Sequence, residues 1–120
     1  MMTKVLVIDN NLVMLENIKK NFNAYLLENG KSIEVEVLNP GTWAGNDNRY
    51  MLECLEKNEY NLYLIGHSVG IIRKNDIDQK AEEYGCKVKY LRGSGLEPTK
   101  QGYERLVKII EESVWEDVTS

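Results

Sequence analysis

The chain has 120 residues, enough for one core, and we expect residues 1–120 to form a single domain. A net charge of −4 argues against general affinity for nucleic acid or anionic membranes. No apolar run approaches the roughly 18 residues that span a bilayer. The chain leads quickly into a predicted strand rather than a signal peptide, which favours a cytoplasmic location.

Two cysteines, Cys54 and Cys86, are far apart in the sequence and lack a histidine at metal-binding spacing. This pattern indicates reduced structural thiols. We predict no bound metal and no cofactor.

The first half of the chain reads as strand, helix, strand. Residues 5–8 are continuously apolar, which is typical of a strand covered on both faces. Apolar residues recur at steps of three and four over residues 15–26, which predicts an amphipathic helix ended by residues 29–30. Residues 33–37 alternate apolar side chains with glutamates, which predicts a strand with one polar face.

The middle of the chain continues this alternation. Residues 39–48 are rich in turn formers and predict a loop. A helix from about Asn48 to Asn58 follows, and residues 62–65 predict a second buried strand. Residues 66–74 are then predicted to be a long loop.

A short helix capped by Asn75 or Asp76 is predicted next, ending at residues 84–85. Residues 88–90 predict a fourth strand, which ends before the Gly-Ser-Gly sequence of residues 93–95. Pro98 suits the first turn of a last helix. The predicted core face of that helix comprises Tyr103, Leu106 or Val107, Ile110 and Val114.

Charge predicts the order of the strands. The second and fourth strands carry charges at alternate positions, which suits sheet edges, and the first and third are apolar. With right-handed crossovers this gives a doubly wound parallel sheet of order 2-1-3-4 in a three-layer sandwich. The winding reverses between strands 1 and 3, which opens a crevice at their carboxyl ends.

Nine residues are candidates for binding a ligand in this crevice. Those predicted to line it are Asp9, Asn10, Asn11, Gly66, His67 and Ser68, and those predicted at its rim are Thr42, Trp43 and Ser94. Trp43 can be a binding aromatic or a lid, or it can pack onto the base of its loop.

Residues 66–70, GHSVG, match the G-x-S-x-G pattern of a nucleophile elbow. His67 is the only histidine in the chain, and as the neighbour of Ser68 it cannot serve as that serine's base in the usual geometry. We therefore predict no catalytic residue here. Three interpretations stay open, namely a glycine-rich turn, a phosphate contact through backbone N–H groups and Ser68, and chemistry at His67.

Asp9 is the one carboxylate predicted at the crevice. With the neutral Asn10 and Asn11 it would make at best a weak divalent-cation site. Alternatively, Asp9 caps the following helix or accepts hydrogen bonds from loop amides.

Three segments resemble a response-regulator receiver domain, which is flavodoxin-like. Residues 4–10 resemble its first strand and acidic pair, residues 50–65 its second helix and third strand, and residues 96–98 its last turn. The resemblance implies a parallel α/β fold and a role in signal transduction.

Several residues depart from the receiver pattern. The phosphoacceptor aspartate would fall at Gly66 or His67, the second acidic residue is Asn10, and the lysine before proline is Glu97. The phosphate-sensing hydroxyl corresponds to Ser94, and one strand–helix unit is missing. The resemblance therefore implies a degenerate, pseudo-receiver domain without aspartyl phosphorylation.

Residues 5–10 also resemble the opening of class I glutamine amidotransferase domains. Those need an elbow cysteine and a later histidine, which the chain lacks, so this activity is not expected.

The leading hypothesis is a non-catalytic, receiver-like signalling or regulatory module that binds a protein partner or forms a homodimer. The second is a small-molecule or nucleotide-binding protein that holds a small phosphorylated ligand in the crevice. The third is a small enzyme that uses His67, Ser68 and Asp9.

Overall fold

The computed structural model describes residues 2–40, 47–91 and 97–115. The elements in chain order are β1 (Thr3–Ile8), α1 (Leu12–Asn17), a π-helical segment (Ile18–Phe22), α2 (Asn23–Glu28), β2 (Ile33–Leu38), α3 (Asp47–Lys57), β3 (Leu62–Ile65), α4 (His67–Tyr84), β4 (Val88–Tyr90) and α5 (Lys100–Trp115). In this part of the chain, no helix combines the length and the apolar character needed to cross a membrane.

The four strands form one parallel sheet in the order β2-β1-β3-β4, which confirms the predicted order. Val5 on β1 lies between Val35 on β2 and Leu62 on β3. The central strands β1 and β3 are buried almost throughout, as their continuous apolar runs predicted.

Helices cover both faces of the sheet. Alternate residues of β1 point to opposite faces, so Val5 and Val7 join one buried cluster while Leu6 and Ile8 join the other. The first cluster also takes side chains from α1, the π-helical segment, α2 and α5. The second takes them from α3 and α4. The chain is thus a three-layer, doubly wound α/β fold of the flavodoxin-like class.

One continuous helical stretch connects β1 to β2. The π-helical segment joins α1 to α2, because the backbone stays helical at Asn17, Phe22 and Asn23. Gly30 follows with φ of +63°, which favours glycine and ends the stretch where the sequence predicted.

The helix α4 corrects two predictions. Residues 66–74 are not a long loop, since α4 begins at His67. Neither Asn75 nor Asp76 caps a helix, because both lie exposed within α4. Val69 and Ile77 are fully buried in the second cluster. They lie eight residues apart, and the polar and charged residues 73–76 between them concealed the helical period.

The last helix begins slightly later than predicted. Pro98 lies before α5 rather than in its first turn, because Thr99 caps the helix by accepting a hydrogen bond from the N–H of Gly102 at 3.1 Å. The predicted core face is confirmed: Tyr103, Leu106, Val107 and Ile110 are buried, and Val114 packs against them. The glycines at 93–95 lie outside the described residues.

Candidate functional site at the carboxyl edge of the sheet

The carboxyl ends of β1 and β3 meet, as the strand order predicted. The N–H of Gly66 donates to the carbonyl of Ile8 at 2.8 Å, which joins the two strand ends. Asp9 is only 7% exposed and packs directly against Gly66. A Cβ atom at residue 66 would lie 1.9 Å from Oδ2 of Asp9. Only glycine therefore fits at position 66 without displacing the Asp9 carboxylate.

Asp9 and Asn11 also organise the start of α1. Oδ1 of Asp9 accepts a hydrogen bond from the N–H of Asn11 at 2.9 Å. Oδ1 of Asn11 in turn accepts one from the N–H of Met14 at 3.1 Å and forms the N-cap of α1. The cap of α1 is therefore Asn11 and not Asp9, and Asp9 instead accepts a hydrogen bond from a backbone N–H of the connecting loop, as the other part of that alternative predicted.

The start of α4 lacks such a cap. Its N-cap is Gly66, which has no side chain to accept the first N–H groups, and the first turn contains no acidic residue. His67 and Ser68 lie in that turn and are exposed. An uncapped helix start carries partial positive charge, and the buried Asp9 carboxylate beneath Gly66 is placed to offset it.

Three exposed apolar side chains lie near the starts of the two helices that follow these strand ends, and they were not among the predicted site residues. Leu12 and Val13 begin α1 and are 62% and 81% exposed. Ile71, near the start of α4, is 69% exposed. Because α1 and α4 pack on opposite faces of the sheet, these side chains belong to helices on both sides of it. The available signal for Val13 was its position off the apolar stripe of its helix, whereas Leu12 lies on that stripe, three residues before Leu15.

Contacts with β4 fix the start of α4. A Cβ atom at Gly70 would lie 2.9 Å from the Tyr90 ring. The Tyr90 hydroxyl donates to Asp78 Oδ1 at 2.5 Å. Hydrogen bonds from Lys74 and from Tyr90 lower the pKa of Asp78, and burial together with the Asp78 contact raises the pKa of Tyr90. The helix is thereby held close to the edge strand.

The structure brings together six of the nine predicted site residues. Asp9 and Gly66 are buried, Asn10 is half-buried, and Asn11, His67 and Ser68 are exposed. Thr42, Trp43 and Ser94 lie outside the described residues. The GHSVG segment connects strand to helix, but Ser68 lies within the first turn of α4.

Both cysteines are free thiols that are partly buried and pack against the second buried cluster. Sγ of Cys86 donates to the carbonyl of Leu55 at 3.0 Å, and burial raises the pKa of each thiol. Across residues 2–40, 47–91 and 97–115, no three His, Cys, Asp or Glu side chains cluster as metal ligands would.

The fold is similar to that of a solved phosphotransferase-system component. That structure is the lactose-specific IIB component domain of the phosphoenolpyruvate:carbohydrate phosphotransferase system from Streptococcus pneumoniae. The TM-score is 0.58 at 14% identity, over 99% of this chain and 97% of the other. No family model matches the sequence, and no curated protein matches it. The match thus supports the flavodoxin-like fold, while the narrower receiver assignment stays a prediction.

Proposed function

We propose that this chain is a non-catalytic, receiver-like regulatory module that binds a protein partner at the carboxyl edge of its sheet. The observation that carries the proposal is the placement of Leu12, Val13 and Ile71. These large apolar side chains are mostly exposed and lie within the first five residues of α1 and α4, the two helices that follow Asp9 and Gly66. Large exposed apolar patches mark interaction surfaces, and we propose that these three side chains contribute to one at this edge.

The polar residues at the same edge suit recognition better than catalysis. The Asp9 carboxylate is buried and engaged with backbone, since it accepts from the N–H of Asn11 and packs on Gly66. His67 and Ser68 are exposed instead. A general base must reach the proton that it removes, and a buried, engaged Asp9 is poorly suited to activate an exposed serine.

Charge substitutions at the apolar side chains test this proposal. Immobilised wild type, Val13→Asp and Ile71→Asp would be used to capture proteins from a lysate of the source organism. Any captured protein would then be purified and its affinity for each variant measured. We expect Val13→Asp and Ile71→Asp to weaken binding at least tenfold, about 1.4 kcal/mol.

Leu27→Asp is the matched control. Leu27 is 82% exposed but lies at the far end of the same helical stretch, near the amino edge of the sheet. It should bind like wild type. A captured protein that binds all four chains equally would contradict the proposal.

A phosphorylated small molecule or nucleotide is the second candidate ligand. The start of α4 presents His67 and Ser68 without a side-chain cap, and helix starts bind phosphate groups. The phosphotransferase component that shares the fold gives this candidate further support. The Asp9 carboxylate opposes it, because it would repel an anion placed at the same helix start.

A thermal-shift screen separates the two candidates. The purified protein would be tested with nucleotides, cyclic nucleotides and sugar phosphates. A ligand at 100 times its dissociation constant stabilises the fold by about 2.7 kcal/mol. A shift that Ser68→Ala abolishes, without loss of the fold, would favour the ligand-binding function. Turnover of such a ligand that depends on His67 would favour the third candidate, a small enzyme.

A further inference from the structure

The edge strand β2 carries backbone groups that point away from the sheet. The N–H of Thr3 donates to the carbonyl of Ser32, and the N–H of Asp9 donates to that of Leu38. Even-numbered residues of β2 therefore turn their backbone groups toward β1. Backbone N–H and C=O groups alternate direction along a strand, so those of Ile33, Val35 and Val37 face outward.

The side chain of Asn23 pairs with the central one of these residues. Its Nδ2 donates to the carbonyl of Val35 at 2.9 Å, and its Oδ1 accepts from the N–H of Val35 at 3.2 Å. The amide thus satisfies both groups of one residue, as the peptide of a neighbouring strand would. Because the contact lies at the middle of β2, a strand could not pair along the whole edge without displacing it.

The π-helical segment places Asn23 there. Ile18 and Phe22 lie at its two ends and are fully buried in the core. Asn23 is the first residue after it, and its N–H donates to the carbonyl of Ile18, five residues earlier. Such a widened turn changes the direction of the side chains that follow it. Asn23 consequently faces β2 while Phe22 stays in the core.

A groove runs along the same edge. It has a volume of about 620 Å³ and is lined by Met2, Lys19, Asn23, Leu27, Lys31 and residues 33–37. Its wall includes the exposed apolar side chain of Leu27. An edge strand beside such a groove is a ready template for pairing with another chain.

The charges of β2 oppose pairing with a second copy. If two β2 strands paired antiparallel about Val35, Glu34 of each copy would lie opposite Glu36 of the other. Like charges directly opposite each other are destabilising. Glu34 and Glu36 are both exposed, so this repulsion would fall on the surface of the pair.

We propose that Asn23 is a built-in strand mimic that blocks pairing of β2 with β2 of a second copy of this chain. The occupant that it excludes is a second copy, because a strand of the same sequence presents matching outward groups about Val35. The glutamates add a smaller, salt-dependent barrier to the same pairing.

Self-association of Asn23 variants tests the proposal. Asn23→Ala and Asn23→Ser would be compared with wild type by sedimentation equilibrium over a wide range of protein concentration. Serine is too short to bond both groups of Val35, and it serves if the alanine variant does not fold. We expect both variants to associate at concentrations at least about tenfold lower than wild type does. Asn21→Ala, which removes a surface amide bonded only within the helix, should behave like wild type.

A charge reversal locates the contact. In an antiparallel pair, Glu34→Lys would place a lysine opposite Glu36 of the partner copy, so adding it to Asn23→Ala should strengthen association further. Glu104→Lys, the same change on α5, should not. Hydrogen exchange should show the Val35 amide protected in the associated form and exposed in the dilute variant. Folded Asn23 variants that associate no more than wild type, or that associate while the Val35 amide exchanges freely, would overturn the proposal.

Discussion

The two strand-to-helix junctions at the carboxyl edge of the sheet are built in opposite ways. Between β1 and α1, the side chains of Asp9 and Asn11 accept hydrogen bonds from backbone N–H groups. Between β3 and α4, the connection is the single residue Gly66, which offers no side-chain cap. One junction is thus held by polar side chains, and the other depends on a close backbone approach.

Asp9 connects the two junctions. By sequence it belongs to the first, since it accepts from the N–H of Asn11, but its carboxylate packs on Gly66 of the second. A carboxylate near a helix start is favourable by roughly 0.3–1 kcal/mol. The start of the uncapped helix α4 thus has its nearest carboxylate at the end of the neighbouring strand.

The largest effect is expected for Gly66→Ala. Gly66 has φ −62° and ψ 155°, which any residue adopts, so backbone strain contributes little. The added Cβ would lie 1.9 Å from Oδ2 of Asp9. We expect a loss of about 3 kcal/mol in the free energy of unfolding, the upper end of overpacking costs, measured by urea denaturation.

A double-mutant cycle shows whether Asp9 is the cause. Asp9→Ala removes the two closest contacts, so Asp9→Ala with Gly66→Ala should lose at least about 1 kcal/mol less than the sum of the single variants. Additive losses would mean that the two junctions are independent.

The next effect is the loss of the cap at the first junction. Asn11→Ala removes the acceptor for the N–H of Met14 and should lower the free energy of unfolding by about 1 kcal/mol. Asn10→Ala, one residue earlier and outside the cap position, is the control and should change it by less than about 0.5 kcal/mol. Equal losses in both variants would argue against the capping role of Asn11.

The sequence predicted the position of these junctions better than their construction. Glutamates at residues 34 and 36 marked β2 as an edge, and the apolar runs of β1 and β3 marked them as central, so the strand order followed. The meeting of Asp9 with Gly66 followed from that order. The structural requirement for glycine at position 66 did not, because it depends on the packing of a side chain 57 residues earlier.

The first half of α4, which was predicted as a loop, was missed for the same kind of reason. Gly70 suggested a loop because glycine is a poor helix former. Its place in a helix depends on the ring of Tyr90, which a Cβ would approach to 2.9 Å, and no local pattern reports that contact. The exposure of Leu12 was likewise hidden, because this residue lies on the stripe of apolar residues that predicts the core face of its helix.

Gly70→Ala sharpens the contrast between the two glycines of this segment. Alanine gains about 1 kcal/mol over glycine in a helix interior, but its Cβ would meet the Tyr90 ring. We expect a net loss of less than about 1 kcal/mol in unfolding free energy. In a Tyr90→Ala background the ring is gone, and the same change should stabilise the protein. A loss of equal size in both backgrounds would exclude the ring as the reason for glycine.

The smallest effect tests whether Asp9 already supplies the charge that the start of α4 lacks. Ser68→Asp adds a carboxylate to a first turn that has none, and it should stabilise the protein by roughly 0.5 kcal/mol at low ionic strength. If Asp9 offsets the partial charge of the helix start, the gain should be larger in an Asp9→Asn background, because the carboxylate added at position 68 is then not repelled by that of Asp9. Glu82→Gln also removes one carboxylate, near the far end of α4, and is the control background for Asp9→Asn. In that background, Ser68→Asp should stabilise the protein as much as it does in wild type. Thermal unfolding at low and high salt measures each gain in stability. An equal gain with and without the Asp9 carboxylate would show that Asp9 does not stabilise the start of α4 electrostatically.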